Sequence, residues 1–214
     1  MTDPRDGKTY ATIVLHGYTV MAQNLDYGTQ VPGMNVTDNQ SNDGGVVEKY
    51  CYNDSALYCE RYGGLYQWAE ALALPSRCNA ESCADLVDTV GFHQGICPPG
   101  WHLPGFVEWG NKIAYSTVAK EMKSEIYWYQ GGGGSNSTGF TFLPAGERID
   151  NEEGGYMSLS EVGRIWYIAL YASNVNYART VTMYYSDNGV ATMNYWAKTG
   201  GVSVRCIQDY AAGK

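Results

Sequence analysis

The six cysteines constrain the fold of this chain more than any other feature of its sequence. They are spread through most of its 214 residues, as Cys51, Cys59, Cys78, Cys83, Cys97 and Cys206. An even number of cysteines in a chain rich in turn residues favours disulfides and an oxidising compartment. Six cysteines can pair in many ways, so their positions alone do not decide the connectivity.

Zinc binding is the alternative use of these cysteines. Cys78, Cys83 and Cys97 would then act as ligands together with His93 or His102. No CxxC pair is present, and the separations along the chain differ from those of structural zinc sites. We therefore prefer disulfides, with an extracellular, cell-surface or virion location; a cytoplasmic protein with reduced thiols is the alternative. The first residues contain no apolar signal core, so we expect no signal peptide in this chain.

Charge and hydropathy exclude two classes of partner. The net charge is −8, which disfavours binding to the phosphates of nucleic acids. No apolar run approaches the roughly 20 residues needed to cross a bilayer, so membrane insertion is not expected. The 26 Gly and 7 Pro indicate many turns and few long helices.

The aromatic residues are biased towards tyrosine, with 19 Tyr against 4 Phe and 6 Trp. A buried phenol needs a hydrogen-bond partner, so a core has no reason to prefer Tyr over Phe. Binding surfaces do favour Tyr, because it combines a rigid apolar ring with a polar tip. The alternative is a β-rich domain with Tyr on half-exposed strands. Both interpretations fit the composition.

The apolar pattern predicts a single α+β domain over residues 1–214. Residues 1–23 are predicted to form a hairpin that turns at Gly17, followed by a long polar loop. The region 64–124 is predicted to hold two helices, one over 64–72 and one from Pro104 to about Lys123. The predicted C-terminal strands are 165–171, 178–185, 190–196 and 202–207. In the last of these, Val202, Val204 and Cys206 share one face, and Ser203 and Arg205 share the other.

Motifs along nearly the whole chain resemble the Fibrobacter succinogenes major paralogous domain family. They occur in the family's order, which makes the resemblance specific. The matching segments are 3–13 (DPRDGKTYATI), 21–28 (MAQNLDYG), 49–52 (KYCY), 59–68 (CERYGGLYQW), 95–104 (GICPPGWHLP), 108–109 (EW), 138–140 (TGF), 143–146 (LPAG) and 203–206 (SVRC).

This resemblance implies a C-type-lectin-like fold, with small twisted antiparallel sheets, two helices and long loops that present a binding face. It also implies that Cys97 pairs with Cys206, and that Cys51–Cys59 and Cys78–Cys83 are the accompanying local pairs. The function implied is recognition of a protein or another cell-surface ligand, without a cofactor. The oligomeric state is left open.

The chain departs from the family pattern mainly in its C-terminal strands and turns. Variable proteins of diversity-generating retroelements, which the chain also resembles, place their ligand-contacting residues there. Adenine mutagenesis can turn an Asn codon into Tyr, Ser, Asp, Arg, Ala or Ile, but not into Trp, Met or Lys. The residues predicted on this basis to form a variable ligand-binding face are Tyr167, Ile168, Ala169, Tyr171, Asn174, Asn176, Tyr177, Arg179, Tyr185, Asp187, Ala191, Asn194 and Tyr195. Trp166, Met193, Trp196 and Lys198 are predicted to belong to a fixed scaffold.

Two other functions are considered beside recognition. One is a cell-surface structural or adhesion module without diversification. The other is an enzyme related to the formylglycine-generating enzymes, which would need reactive cysteines near the C-terminus, where this chain has only Cys206. Because the sequence has no catalytic motif, we predict that the chain is not an enzyme.

Three further residues or segments have structural interpretations. His102 is expected to be a packed structural residue. Arg205 is expected to pair with a carboxylate such as Glu108. The acidic run 150–153 could hold a structural calcium ion, but no calcium-binding motif supports that interpretation, and a solvated turn is the simpler one.

Overall fold

The structure is a computed structural model, and it describes residues 1–34, 40, 45–89, 91–109, 113, 117–150, 155–170, 174–189 and 192–210. Within these ranges the chain has a mixed α+β architecture with several small sheets and short helices. The strands are β1 (Thr12–Leu15), β2 (Tyr18–Met21), β3 (Thr29–Gln30), β4 (Glu48–Lys49), β5 (Leu65–Tyr66), β6 (Trp101–His102), β7 (Glu147–Ile149), β8 (Gly155–Met157), β9 (Val162–Leu170), β10 (Tyr177–Tyr184), β11 (Thr192–Ala197), β12 (Val202–Ser203) and β13 (Ile207–Gln208). The α-helices are α1 (Ala56–Tyr62), α2 (Trp68–Ala71), α3 (Phe106–Glu108) and α4 (Ala119–Met122).

The N-terminal hairpin is confirmed and belongs to a four-stranded sheet of order β1-β2-β13-β6. The strands β1 and β2 are antiparallel and are joined by the turn at His16 and Gly17, where Leu15 pairs with Tyr18. Strand β13 then pairs with β2 through Ile207 and Val20. The two ends of the chain are therefore neighbours in one sheet.

The second sheet has five strands in the order β11-β10-β9-β12-β5. Its long strands β9, β10 and β11 are antiparallel and agree with three of the predicted C-terminal strands. A register shift between Ala178 and Thr180 bends β9 against β10. The sheets are not antiparallel throughout, because β12 runs parallel to β9, and β3 runs parallel to β4.

The predicted helix over 64–72 is only partly present. Leu65 and Tyr66 form β5 instead, because they pair with Val202–Ser203 of β12. The helix α2 begins after them, and the unpredicted helix α1 lies before them. Gly63 (φ 81°) ends α1 with its N–H donating to the Cys59 carbonyl over 2.8 Å, a helix end that favours glycine. Pairing with β12 therefore makes Leu65 and Tyr66 a strand where the apolar pattern predicted a helix.

The predicted helix from Pro104 to Lys123 is also interrupted. Its described residues are α3, the π-helical Trp109 and Ile113, and α4, and the backbone of Val118 just before α4 is extended. Of the predicted apolar stripe, Trp109, Ile113 and Met122 are buried, whereas Phe106 and Val118 are exposed. The end near Lys123 is confirmed, because Lys123 is extended and follows the last residue of α4.

The chain crosses between the two sheets at residues 204–206, so the predicted strand 202–207 is divided into β12 and β13. The predicted faces of this segment are confirmed. Val202, Val204 and Cys206 belong to one buried apolar cluster, while Ser203 and Arg205 both hydrogen-bond to Asn24 on the other side.

The structure contains three disulfides, Cys51–Cys59, Cys78–Cys83 and Cys97–Cys206. They are the pairs implied by the family resemblance. The zinc alternative is wrong in this structure, because its three cysteine ligands are consumed by two of these disulfides. Cys97–Cys206 closes the longest loop and attaches the segment before β6 to the crossing between the sheets.

Arg205 is structural, but the partner expected for it was wrong. Its Nε donates to Asn24 Oδ1 over 2.7 Å, and its Nη2 donates to the Thr141 carbonyl over 2.6 Å. Its Nη1 donates to the carbonyl of Phe140, whose ring lies 4.3 Å from the guanidinium carbon. Glu108 bonds elsewhere. The buried, planar guanidinium of Arg205 thus satisfies the backbone carbonyls of the loop at Phe140 and Thr141.

Candidate functional site

The strands β10 and β11 bring several of the predicted variable residues together at one end of the sheet. Cross-strand pairing places Arg179 opposite Tyr195 and Tyr177 opposite Ala197. Because side chains alternate along a strand, these residues share one face of the sheet. The rings of Tyr177 and Tyr195 meet edge to face, with centroids 5.5 Å apart.

The turn before β10 adds two amide side chains at the same end. Asn174 Oδ1 accepts the backbone N–H of Asn176 over 2.9 Å, which stabilises the turn. The Asn176 carbonyl accepts the Lys198 N–H over 2.8 Å and thereby ties the turn to the end of β11. Both amide side chains are exposed. We name the surface formed by Asn174, Asn176, Tyr177, Arg179 and Tyr195 the C-terminal face.

A cavity of about 350 Å³ lies between β9 and α3, lined by Ile168 and Ala169 of the strand and Phe106–Glu108 of the helix. Its apolar walls include Phe92, Phe106 and Ala169, which is half-buried. The rings of Phe106 and Tyr167 have centroids 6.5 Å apart. Burial raises the pKa of Tyr167, although the positive charge of Arg179 lowers it. Tyr167 is therefore a buried residue behind Phe106, not part of an accessible face.

Glu108 and Tyr210 in the lining of this cavity belong to a cluster of charged and polar groups around buried His102. His102 bonds to two carboxylates, with Nε2 2.8 Å from Glu108 Oε1 and Nδ1 2.7 Å from Asp209 Oδ1. Glu108 also accepts the Tyr210 hydroxyl over 2.8 Å and the Gly105 N–H over 2.7 Å. Every nitrogen of the imidazole is thus occupied, which agrees with a structural histidine.

The environment of this cluster favours the charged forms of both partners. Burial lowers the pKa of His102, but hydrogen bonds and charge from Glu108 and then Asp209 outweigh burial and raise it above the ordinary value. Burial raises the pKa of Glu108, but the hydrogen bonds from His102 and Gly105 outweigh burial and lower it. The cluster is an ion pair that supports the cavity wall.

The opposite face of the same strands is closed by a polar network. Arg164 Nε donates to Glu147 Oε2 over 2.8 Å, and its Nη1 donates to Thr182 Oγ1 over 2.9 Å. The guanidinium carbon of Arg164 lies 4.3 Å from the Trp196 ring. Asn194 is on this side of the sheet, where its amide lies 3.4 Å from the Tyr184 hydroxyl. It is therefore separated from the C-terminal face.

Other predicted variable residues lie at the far end of the sheet or inside it. Tyr185 and Asp187 follow the last residue of β10, eight and ten positions beyond Tyr177, or about 27 and 33 Å for an extended chain. The Asp187 carbonyl accepts a hydrogen bond from buried Lys123 over 2.7 Å. Tyr167 and Ile168 are buried, with only 1% of Tyr167 exposed. Tyr171 and Ala191 lie outside the described residues.

The residues predicted to belong to the scaffold have more interior positions. Trp166 and Lys198 are buried, and Met193 and Trp196 are half-buried. The Nζ of Lys198 donates to the Cys78 carbonyl over 2.9 Å. The sequence analysis missed Phe92 and assigned Phe106 to a helix core.

Metal and membrane sites were also considered. Across the described ranges, no three His, Cys, Asp or Glu side chains form a group that could hold a metal ion. Of the acidic run considered for calcium, only Asp150 is described, and its Oδ1 lies 3.8 Å from Arg148 Nη1. None of the described helices is long and apolar enough to cross a bilayer.

The fold and the site define a disulfide-linked α+β protein whose largest sheet presents aromatic and amide side chains at one end. The family model of the Fibrobacter succinogenes major domain matches residues 18–208. The chain therefore belongs to this family. No curated protein and no solved structure matches the chain.

Proposed function

We propose that this chain is a ligand-recognition domain with a C-type-lectin-like fold that binds a protein or another cell-surface molecule through the C-terminal face. The observation that carries the proposal is the cluster of half-buried Tyr177, half-buried Arg179 and exposed Tyr195 beside the exposed amides of the Asn174–Asn176 turn. Rings with few rotatable bonds provide contact area, and amides provide adaptable hydrogen bonds, as in antibody paratopes. The family resemblance and the small sheets support the lectin-like assignment.

The location proposed is extracellular, on a cell surface or on a virion. Its support is the three disulfides, since such bonds persist in oxidising compartments. The alternative of an enzyme related to the formylglycine-generating enzymes needs a free reactive thiol. All six cysteines lie in described segments and all are paired in this structure, so the support for recognition is stronger.

A binding comparison tests the proposal. Wild type and the double variant Tyr177→Ala/Tyr195→Ala would be applied to protein and glycan arrays, and any ligand found would be titrated by calorimetry. Tyr129→Ala is the matched control, because Tyr129 is 47% exposed, close to the 43% of Tyr195. Tyr129 packs on Tyr185 at the far end of the sheet.

Loss of binding only in the double variant would support the C-terminal face. Equal loss in the Tyr129 control, or the absence of any ligand whose binding the double variant weakens, would contradict it. The adhesion alternative, a module without diversification, predicts one ligand class shared by near-identical relatives, which the same arrays can test.

We further propose that the C-terminal face is diversified by a retroelement. The DNA beside the gene would then contain a near-copy of its 3′ end and a reverse-transcriptase gene. Mismatches confined to template adenines, falling on codons of the C-terminal face, would support diversification. Absence of such a copy would contradict diversification and leave the recognition proposal to the binding comparison.

A further inference from the structure

A second groove lies away from the C-terminal face, beside helix α1. One part is a cavity of about 270 Å³ between the N-terminal segment and the end of α1, with Gln23, Glu60, Arg61 and Tyr62 in its lining. The other part is a more open depression lined by Leu57, Glu60, Arg61 and Tyr127. Because both parts share Glu60 and Arg61, they form one groove, which we call the tyrosine groove.

Five tyrosine rings form a row in which each contacts the next, and the row ends at this groove. The centroid distances are 5.1 Å for Tyr156–Tyr52, 5.4 Å for Tyr52–Tyr58, 6.1 Å for Tyr58–Tyr62 and 5.7 Å for Tyr62–Tyr127. The rings Tyr52, Tyr58 and Tyr156 are half-buried and Tyr62 is buried, so the row ends on one accessible ring. That ring is Tyr127, which is 41% exposed.

Tyr127 is held in this position by its neighbours in the chain. Ser124 Oγ donates to the Ile126 carbonyl over 2.8 Å and accepts the indole N–H of buried Trp128 over 3.1 Å. Between them the backbone of Tyr127 has φ 77°, a conformation that a residue with an aromatic side chain rarely adopts. The core behind the turn is already covered by Trp128. The strained position therefore presents the Tyr127 ring to the groove rather than to the core.

The charges of the groove indicate the kind of ligand. Lys8 and Arg61 are balanced by Asp26 and Glu60 in its lining, so an anion or a cation gains no net attraction. Arg61 lies 5.2 Å from the Tyr127 ring centroid. Glu60 is exposed and has no hydrogen-bond or ion-pair partner among the described residues. An apolar ligand would have to desolvate these groups without compensation.

We propose that the tyrosine groove binds a neutral saccharide. A sugar ring offers an apolar C–H face for Tyr127, and its hydroxyl groups can donate to Glu60 and accept from Arg61. The Gln23 side chain also lines the cavity; its Oε1 accepts the Ala11 N–H over 2.8 Å, so its amide N–H groups are the part that can donate to a sugar hydroxyl. A cavity of this size holds about one sugar residue, and the open depression receives the next.

The test is a titration of the ¹⁵N-labelled full chain with cellohexaose, chitohexaose and mannohexaose, followed by NMR. At least one of these neutral probes is expected to shift the signals of Arg61 and Gly63, and trigalacturonate, an anionic probe, is expected to bind more weakly. Tyr127→Gly is the decisive variant, because it removes the ring while glycine adopts the positive φ of this position without strain. It should bind about five- to tenfold more weakly while its thermal midpoint stays unchanged or rises.

Tyr129→Ala is again the control and should bind as wild type does. The proposal is overturned if none of the three neutral hexasaccharides shifts the groove signals, or if trigalacturonate binds more tightly than they do. It is also overturned if the shifts fall on the C-terminal face instead. Failure here leaves the proposed function standing, because the two surfaces share no residue.

Discussion

Removal of the Cys97–Cys206 disulfide is expected to destabilise the fold more than removal of either local disulfide. The sequence separations are 109 residues for this pair, 8 for Cys51–Cys59 and 5 for Cys78–Cys83. In the loop-entropy treatment the closed loops contribute about 5 kcal/mol for the long one and about 2 to 3 kcal/mol for each short one. We therefore predict that removal of the long-loop disulfide lowers the free energy of unfolding by about 2 kcal/mol or more beyond the loss for either short-loop disulfide.

All six cysteines are buried, so replacement of each pair by alanine adds a comparable cavity cost. Comparison of Cys97→Ala/Cys206→Ala with Cys78→Ala/Cys83→Ala therefore isolates the effect of loop length. The measurement is urea unfolding followed by tryptophan fluorescence and circular dichroism, which gives the free energy of unfolding and its urea dependence. Cys51→Ala/Cys59→Ala provides the second short-loop value.

Equal losses for the long and the short loops would refute the reasoning, because loop length would then have no effect. The long-loop variant can fall below the threshold of folding, since small domains have only about 5 to 15 kcal/mol of stability. The comparison is then made for all three variants in the same concentration of sucrose, which favours the folded state without altering the ranking.

The remaining predictions concern single residues. Arg205→Leu should cost about 2 to 4 kcal/mol, measured by urea unfolding, because it leaves the Phe140 and Thr141 carbonyls buried without a donor. Tyr167→Ala should lower the free energy of unfolding by about 3 to 5 kcal/mol, because Tyr167 is buried. Tyr195→Ala should change it by no more than about 0.5 kcal/mol, because Tyr195 is exposed. Equal losses in the two variants would contradict this reasoning. The His102 contribution should be complete below its unfolded pKa of about 6.5 and disappear as the pH rises through its raised folded pKa. The Glu108 contribution should be present above about pH 4.3 and disappear as the pH falls through its lowered folded pKa. His102→Gln should flatten the alkaline part of a stability–pH profile, and an unchanged profile would contradict the assignment.

Strands with alternating side chains were predictable from the sequence. The hairpin and the strands β9 to β11 appear near their predicted positions, because their periodicity of two is strong and glycine or asparagine turns bound them. The two faces of residues 202–206 were predictable for the same reason. The disulfide pairs were available only through the family resemblance, since local spacing does not fix them.

Elements decided by tertiary pairing were not predictable. Leu65 and Tyr66 fit a helical stripe, but their backbone groups pair with β12, and this pairing outweighs local propensity. Residues 202–207 fit one strand, but the chain changes sheets between Ser203 and Ile207. Nothing in the local pattern marks that change. The partners of buried Arg205 were equally hidden, because they come from a loop 64 or 65 positions away.

The candidate site was predictable only in part, because closeness in sequence differs from closeness on a sheet. Tyr177 and Tyr185 are separated by the whole length of β10, although both were assigned to one face. Asn194 and Tyr195 are adjacent in sequence but point to opposite sides of the sheet. The burial of Tyr167 arises from its packing in an apolar cluster with Trp109, Ile165 and Val181, which its place in the sequence did not indicate.

The alternation of β10 and β11 also determines which positions can change without loss of the fold. Thr180, Thr182 and Trp196 surround the Arg164 guanidinium on the closed side, and a substitution there leaves a buried cation without its partners. Tyr177 and Tyr195 contact each other at the end of the other side, beyond the part that buries Val181 and Met183, so their replacement removes little core packing. If adenine mutagenesis acts on this gene, surviving variants should therefore be dense at positions 177, 179 and 195 and sparse at 194, although all four codons are reachable. Equal variation at positions 194 and 195 would show that the polar network does not restrict the scaffold.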